Sequence, residues 1–134
     1  MLIKYITNGK RGLLMKIAVS AIGKEKESLL DRRFGRCEYF LIFDTETGDI
    51  KAIGNNGLSS DGGAGITAAS QIIEENISAV ITGNLGPNAF ELMEKAGIKA
   101  YSSDILPAFK AVELLQKNKL FEINTAVGAH HGMR

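Results

Sequence analysis

Ser78-Ala79-Val80-Ile81-Thr82-Gly83-Asn84-Leu85-Gly86-Pro87-Asn88-Ala89 and, one helix length later, Ala96-Gly97-Ile98-Lys99-Ala100-Tyr101-Ser102 decide how this chain folds. A short apolar run stops at a glycine loop. Pro87 then suits the first position of a helix, where its missing N–H would be unpaired in any case and its ring already holds a helical φ. Ala89, Phe90, Met93 and Ala96 form the inward stripe of that helix, and Gly97 stands where a left-handed residue ends it. A second apolar run begins at once. Two strands joined through one helix must lie parallel, with a right-handed crossover.

Toward the N-terminus, Ser59-Ser60-Asp61-Gly62-Gly63-Ala64-Gly65 runs into Ile66-Thr67-Ala68-Ala69-Ser70-Gln71-Ile72-Ile73. This predicts a glycine-rich loop feeding a helix capped by Ser60 or Asp61, with Ile66, Ala69, Ile72 and Ile73 inward and Glu74 to Asn76 at its wet end. Glycines leave the backbone free to approach a ligand, and the uncompensated N–H groups of a helix start receive anions. Farther upstream, Lys16 to Gly23 reads as a buried first strand. Cys37 to Asp44 and Asp49 to Ile53 read as a hairpin across Thr45-Glu46-Thr47-Gly48. Between the first strand and the hairpin lies a charged loop ending in Arg32-Arg33-Phe34-Gly35-Arg36, the one basic cluster, with Phe34 as its anchor in the core.

Downstream, Ile105 to Lys119 predicts a last amphipathic helix with Ile105, Phe109, Val112 and Leu115 as its stripe. Phe121 to Arg134 has no period and reads as a tail carrying His130 and His131. The expected architecture is an α/β domain over residues 15–120, with a mixed sheet of five strands (an antiparallel meander plus two parallel strands) and three helices. Residues 1–14 read as a loosely ordered extension before Met15, the expected natural start. Ligands of such sheets bind beyond the carboxyl ends of the parallel strands. That rim would gather residues 21–23, 83–86 and 102–104, with the first glycine loop beside it.

The chain has 134 residues, 45% of them hydrophobic and 23% charged, with 15 glycines and a formal net charge of +1. That suits one globular domain, and so small a net charge supplies no overall field for nucleic acid or an anionic membrane. Cys37 is the only cysteine, which excludes an internal disulfide. With no leader pattern and no long apolar run, the expected location is cytoplasmic.

Taken together and in order, Arg33-Phe34-Gly35-Arg36-Cys37-Glu38-Tyr39-Phe40, the first glycine loop, Thr82 to Ala89 and Ala96 to Tyr101 resemble the dinitrogenase iron-molybdenum cofactor biosynthesis family, from Met15 to about Leu120. The resemblance implies a ribonuclease-H-like fold. It also implies a non-enzymatic carrier that transiently binds an iron-sulfur or iron-molybdenum cluster or precursor, with cluster-donor and acceptor proteins as partners and a monomer or weak dimer as the working form. A cluster of that kind is a large anion held by N–H groups, arginines and a few Cys or His ligands. On this chain those would be Arg33, Arg36, Gly62, Gly63, Gly65, Gly83, Asn84 and Gly86, with Cys37 as one metal ligand unless it packs as a small strand-end hydrophobe; His130 and His131, beyond the matching stretch, read either as further metal ligands or as part of a solvated tail. In nitrogenase-linked members the residue before Phe-Gly is often histidine; here it is Arg33.

The rival reading is an enzyme or regulator acting on an anionic small molecule or nucleic acid. Two-metal nuclease chemistry needs clustered carboxylates, yet Lys16 to Gly23 contains none, and Asp44, Glu46 and Asp49 are explained as turn residues. Neither glycine loop carries the phosphate-loop lysine or the full dinucleotide fingerprint, and no Ser-His-Asp or Cys-His arrangement has supporting spacing.

Overall fold

The computed structural model describes residues 15–126; the expected extension 1–14, His130 and His131 lie outside the described residues. Six strands, β1 (Lys16–Ala21), β2 (Tyr39–Asp44), β3 (Ile50–Gly54), β4 (Ala79–Thr82), β5 (Lys99–Ser102) and β6 (Phe121–Glu122), form one sheet in the order β3-β2-β1-β4-β5-β6. The helices are α1 (Ala64–Glu74), α2 (Pro87–Lys95) and α3 (Ala108–Gln116). The meander and the two parallel strands follow the expected pairing: β2 is antiparallel to β1 and β3, while β1, β4 and β5 run parallel.

The sheet has six strands, not five. Phe121 and Glu122, expected in the tail, pair antiparallel with Ser102 and Tyr101, and Ile123 N donates to Ala100 O at 2.7 Å. Two residues are too few to show a period of two, so only the open edge of β5 selects them.

Alternation along the strands divides the core. Ala18, Phe40, Ile42, Val80 and Ala100 face α1 and α2, whereas Ile17, Val19, Leu41, Phe43 and Ile81 face α3. Burial on both faces is why β1 and β4 read as unbroken apolar runs. Each fully buried Ile or Leu contributes about 1.5–3 kcal/mol relative to its exposed state.

Helix boundaries depart from the pattern at identifiable points. α3 begins at Ala108, because the residue before Pro107 is driven out of the helical region and the first amides go elsewhere: Ala108 N to Ser28 O at 2.8 Å and Phe109 N to Lys26 O at 3.0 Å. Ile105 therefore lies outside the helix and is 59% exposed. In α1 the inward residues are Ala64, Ala68, Ala69 and Ile72, and Ile66 is exposed. In α2, Ala89 and Met93 are buried whereas Ala96, at the C-cap, is exposed. Gly97 takes φ +78 as its position requires.

The register sets where the loops meet. Ala21 pairs with Tyr39 and Tyr39 with Gly54, and the parallel strands end beside them at Thr82 and Ser102. One edge of the sheet thus collects loops 22–38, 55–63, 83–86 and 103–107. The hairpin turn at 45–49 lies at the opposite edge.

Candidate functional site

The loop after β1 is tied back to that strand. Asp31 N donates to Ser20 O at 2.8 Å, and Ser20 Oγ donates to Asp31 O at 2.6 Å while sharing a hydrogen bond with Thr82 Oγ1 at 2.8 Å. The Asp31 carboxylate is buried. Its Oδ1 accepts from Arg33 N (2.9 Å) and Nε (3.0 Å), and its Oδ2 accepts from Arg33 Nη2 (2.8 Å). That guanidinium holds the Asp31 carboxyl below its usual range against the opposing effect of burial. In return the hydrogen bond and charge of Asp31 raise Arg33 further, whose side chain is 70% exposed.

The same loop grips the second glycine loop. Gly83 N donates to Arg32 O at 3.2 Å, and Ser103 N donates to Thr82 O at 2.9 Å. Arg32 Nη1 donates to Ser103 O, and Arg33 bridges to Asn84. Gly83 is buried, and a Cβ there would lie 2.4 Å from Arg32 Cβ and 2.5 Å from Arg32 O. Its glycine therefore serves close packing.

A single 3₁₀ turn, Phe34–Arg36, then crosses toward α1. Phe34 is buried against Phe40, ring centroids 5.3 Å apart, which is the anchoring expected of it. Buried Asn55 locks the turn, donating through Nδ2 to Gly35 O (3.1 Å) and Cys37 O (2.9 Å) and accepting from Gly57 N through Oδ1 (2.8 Å). A Cβ on Gly35 would lie 3.0 Å from Gly65 N, so any side chain there would sit on the first turn of α1. Arg36 is exposed and reaches Ser60 O from Nη1 at 3.3 Å.

The helix starts differ in how their amides are used. Among the described residues none of the three carries a side-chain cap. The expected Ser60 or Asp61 cap is replaced by Gly63 at φ +70, whose left-handed turn puts the helix start two residues beyond Asp61, and Ser60 Oγ instead pairs with Thr67 Oγ1 at 3.4 Å. Loop carbonyls fill the start of α3. At α1 the amides of Ala64, Gly65 and Ile66, and at α2 those of Asn88 and Ala89, find no acceptor among the described residues. These two ends adjoin: a Cβ on Gly65 would touch Ala89 Cβ at 3.5 Å. Two dipole ends and their orphan donors thus face one region.

Of the expected binding residues, Arg33, Arg36, Gly62, Gly63, Asn84 and Gly86 are exposed at this rim, Gly65 lies at the α1–α2 contact, and Gly83 is buried. Cys37, the expected thiol ligand, is placed in the core rather than on the rim. It is fully buried, its thiol donates to Phe34 O at 3.5 Å, and burial pushes its pKa up to about 12. Ligation uses the thiolate, the form that burial disfavours here. Among the described residues no three His, Cys, Asp or Glu side chains gather as a metal site. Asp44 Oδ1 accepts from Glu46 N and Thr47 N, in keeping with the turn role expected of it. Asp31, Asn55 and Gly57 escaped sequence reasoning. Only the Asp31-x-Arg33 spacing, which lets a side chain reach the amide two residues on, hinted at one of them.

No helix among the described residues is long and apolar enough to cross a membrane. Residues 15–118 match the family described as dinitrogenase iron-molybdenum cofactor. An uncharacterised protein of Methanocaldococcus jannaschii is 34% identical over 110 residues, covering 80% of this chain and 90% of the relative. The apo form of the orange protein of Desulfovibrio gigas superposes with a TM-score of 0.79 at 30% identity, covering 83% of this chain and 94% of that one. A candidate NifB protein from Thermotoga gives 0.73 at 29% identity, with 83% and 95% covered. With the ordered motifs and the strand order in agreement, the chain belongs to the dinitrogenase iron-molybdenum cofactor family.

Proposed function

We propose that this protein binds and carries an anionic metal-sulfur cargo, an iron-sulfur or iron-molybdenum type cluster or its precursor, without transforming it. One observation carries the reading: the uncapped first turns of α1 and α2 stand side by side, with Arg33 and Arg36 at their margin. Amide donors at helix starts and guanidinium groups are what a large, diffuse anion needs. Family membership and the likeness to a protein solved in an apo form support a carried group.

The donor set favours holding the cargo by hydrogen bonds and charge rather than by direct ligation. Cys37 is buried and protonated, and the open space over Gly62, Gly63 and Gly86 leaves the backbone accessible. Of the proposed metal ligands, His130 and His131 remain as side chains from outside the described residues. The ribonuclease-H-like kinship and the donor and acceptor partners rest on the same resemblance.

Anaerobic mixing with a synthetic cubane iron-sulfur thiolate dianion tests the function. The expected result is a coloured one-to-one complex that shifts the amide resonances of Gly62 to Ile66 and Asn84 to Ala89, and that Arg36→Ala weakens by about tenfold, the loss of one charge-assisted contact. Absence of both visible absorption and amide shifts would overturn it.

A further inference from the structure

Among the described residues, Asp31 is the only charged residue that is buried, and nothing in the binding of a cargo uses it directly. Its surroundings give it a specific task. Both backbone groups of Asp31 are bonded to Ser20 of β1, N to Ser20 O and O to Ser20 Oγ, so the carboxylate is mounted on the centre of the sheet. Both carboxylate oxygens are then spent on Arg33, along the edge formed by Nε and Nη2. Oδ1 accepts twice and Oδ2 once, so this buried carboxylate, with one acceptor site left and a guanidinium against it, is a poor ligand for a metal cation. A guanidinium, for its part, has only donors. What remains outward is the Nη1 end of Arg33, which makes no hydrogen bond among the described residues, on a side chain 70% exposed. A long side chain that would otherwise be ordered only by its ligand is ordered in advance.

We propose that Asp31 is the positioning residue that presents Arg33 end-on to the rim, making the site selective for a preformed anion over a free metal cation. This rests on the anion-carrying function proposed above. Charge alone gives the opposite expectation for Asp31: removing a negative group beside an anion site should tighten binding. Positioning predicts that removing it weakens binding, and only where Arg33 is present.

A double-mutant cycle with the cubane iron-sulfur thiolate dianion separates these. Asp31→Asn is expected to weaken binding about tenfold, one properly placed hydrogen-bonded contact, and to cause no further loss in the Arg33→Ala background. Arg33→Lys, which keeps the charge and loses the fork, is expected to bind as poorly as Arg33→Ala. Equal losses in both backgrounds, tighter binding by Asp31→Asn, or wild-type affinity in Arg33→Lys would each overturn the proposal. Ferrous ion alone shifting the same rim amides would overturn the selectivity. A second readout needs no ligand. The Arg33 Nε–H resonance should be sharp and slowly exchanging in the wild type and lost in Asp31→Asn; equal exchange in both means that Arg33 is not positioned. If the dianion fails to bind wild-type protein while this resonance behaves as expected, the carrier function falls and the positioning stands.

Discussion

Cys37 keeps its proton because burial takes the thiol out of water, an effect that hydrogen bonds from the Ala21 backbone and the Asn55 side chain offset only in part. The consequence is a stability that depends on alkali. The unfolded chain releases this proton near pH 9.0 whereas the folded chain holds it to about 12. Stability is therefore intact below the lower value and falls as pH rises through the window, by about 1.4 kcal/mol per pH unit. Urea unfolding of wild type and Cys37→Ala across that window should show the extra slope in the wild type alone, lysines and tyrosines contributing equally to both. Asp31 has the opposite sign: its lowered pKa gives stability at neutral pH that disappears as acid protonates the carboxylate. At this scale the sequence was a partial guide. It marked Cys37 as a residue type able to ligate, but a thiol's chemistry is set by its dielectric surroundings, which Asn55 and a core drawn from α1, β4 and α2 supply from distant parts of the chain.

Among the loops, glycines that look alike in sequence perform different tasks. Gly83 lets the loop after β4 touch Arg32, and Gly83→Ala forces a Cβ onto backbone atoms only 2.5 Å away. It should cost roughly 1–3 kcal/mol, the range for overpacking at a tight contact, read as a shift in urea midpoint. Gly62 faces open space without a left-handed φ, so Gly62→Ala should stay within about 0.5 kcal/mol of wild type, as surface changes do. A comparable loss from the two would contradict the packing described for the rim. The glycine loops, the helix after Pro87 and the stop at Gly97 were legible because local backbone geometry demands those residue types. The true cap of α1 was not, since Ser60, Asp61 and Gly63 all satisfy the local rules, and the helix starts at the last of them, after the left-handed Gly63.

Across the molecule, β1 and β4 lie at the centre of the sheet and are covered on both faces, whereas β3 and β6 are edges. Amides of Val19, Val80 and Ile81 should exchange with solvent only through global unfolding, and those of β6 much earlier by local opening; hydrogen exchange followed by NMR checks the order. The sequence by itself determined the order of the first five strands and the three helices, the parallel crossover and the rim to which the loops belong, because period, turn chemistry and chain chirality are local properties that leave few topologies. Tertiary structure decided which of those loop residues face outward and what each can do. It buried Cys37 and Gly83, recruited Phe121 and Glu122 to an open edge, and set the starts of α1 and α2 against one another. Each of these depends on atoms brought together from far apart in the chain, where burial and hydrogen-bond partners, not residue type, fix a group's charge and reach.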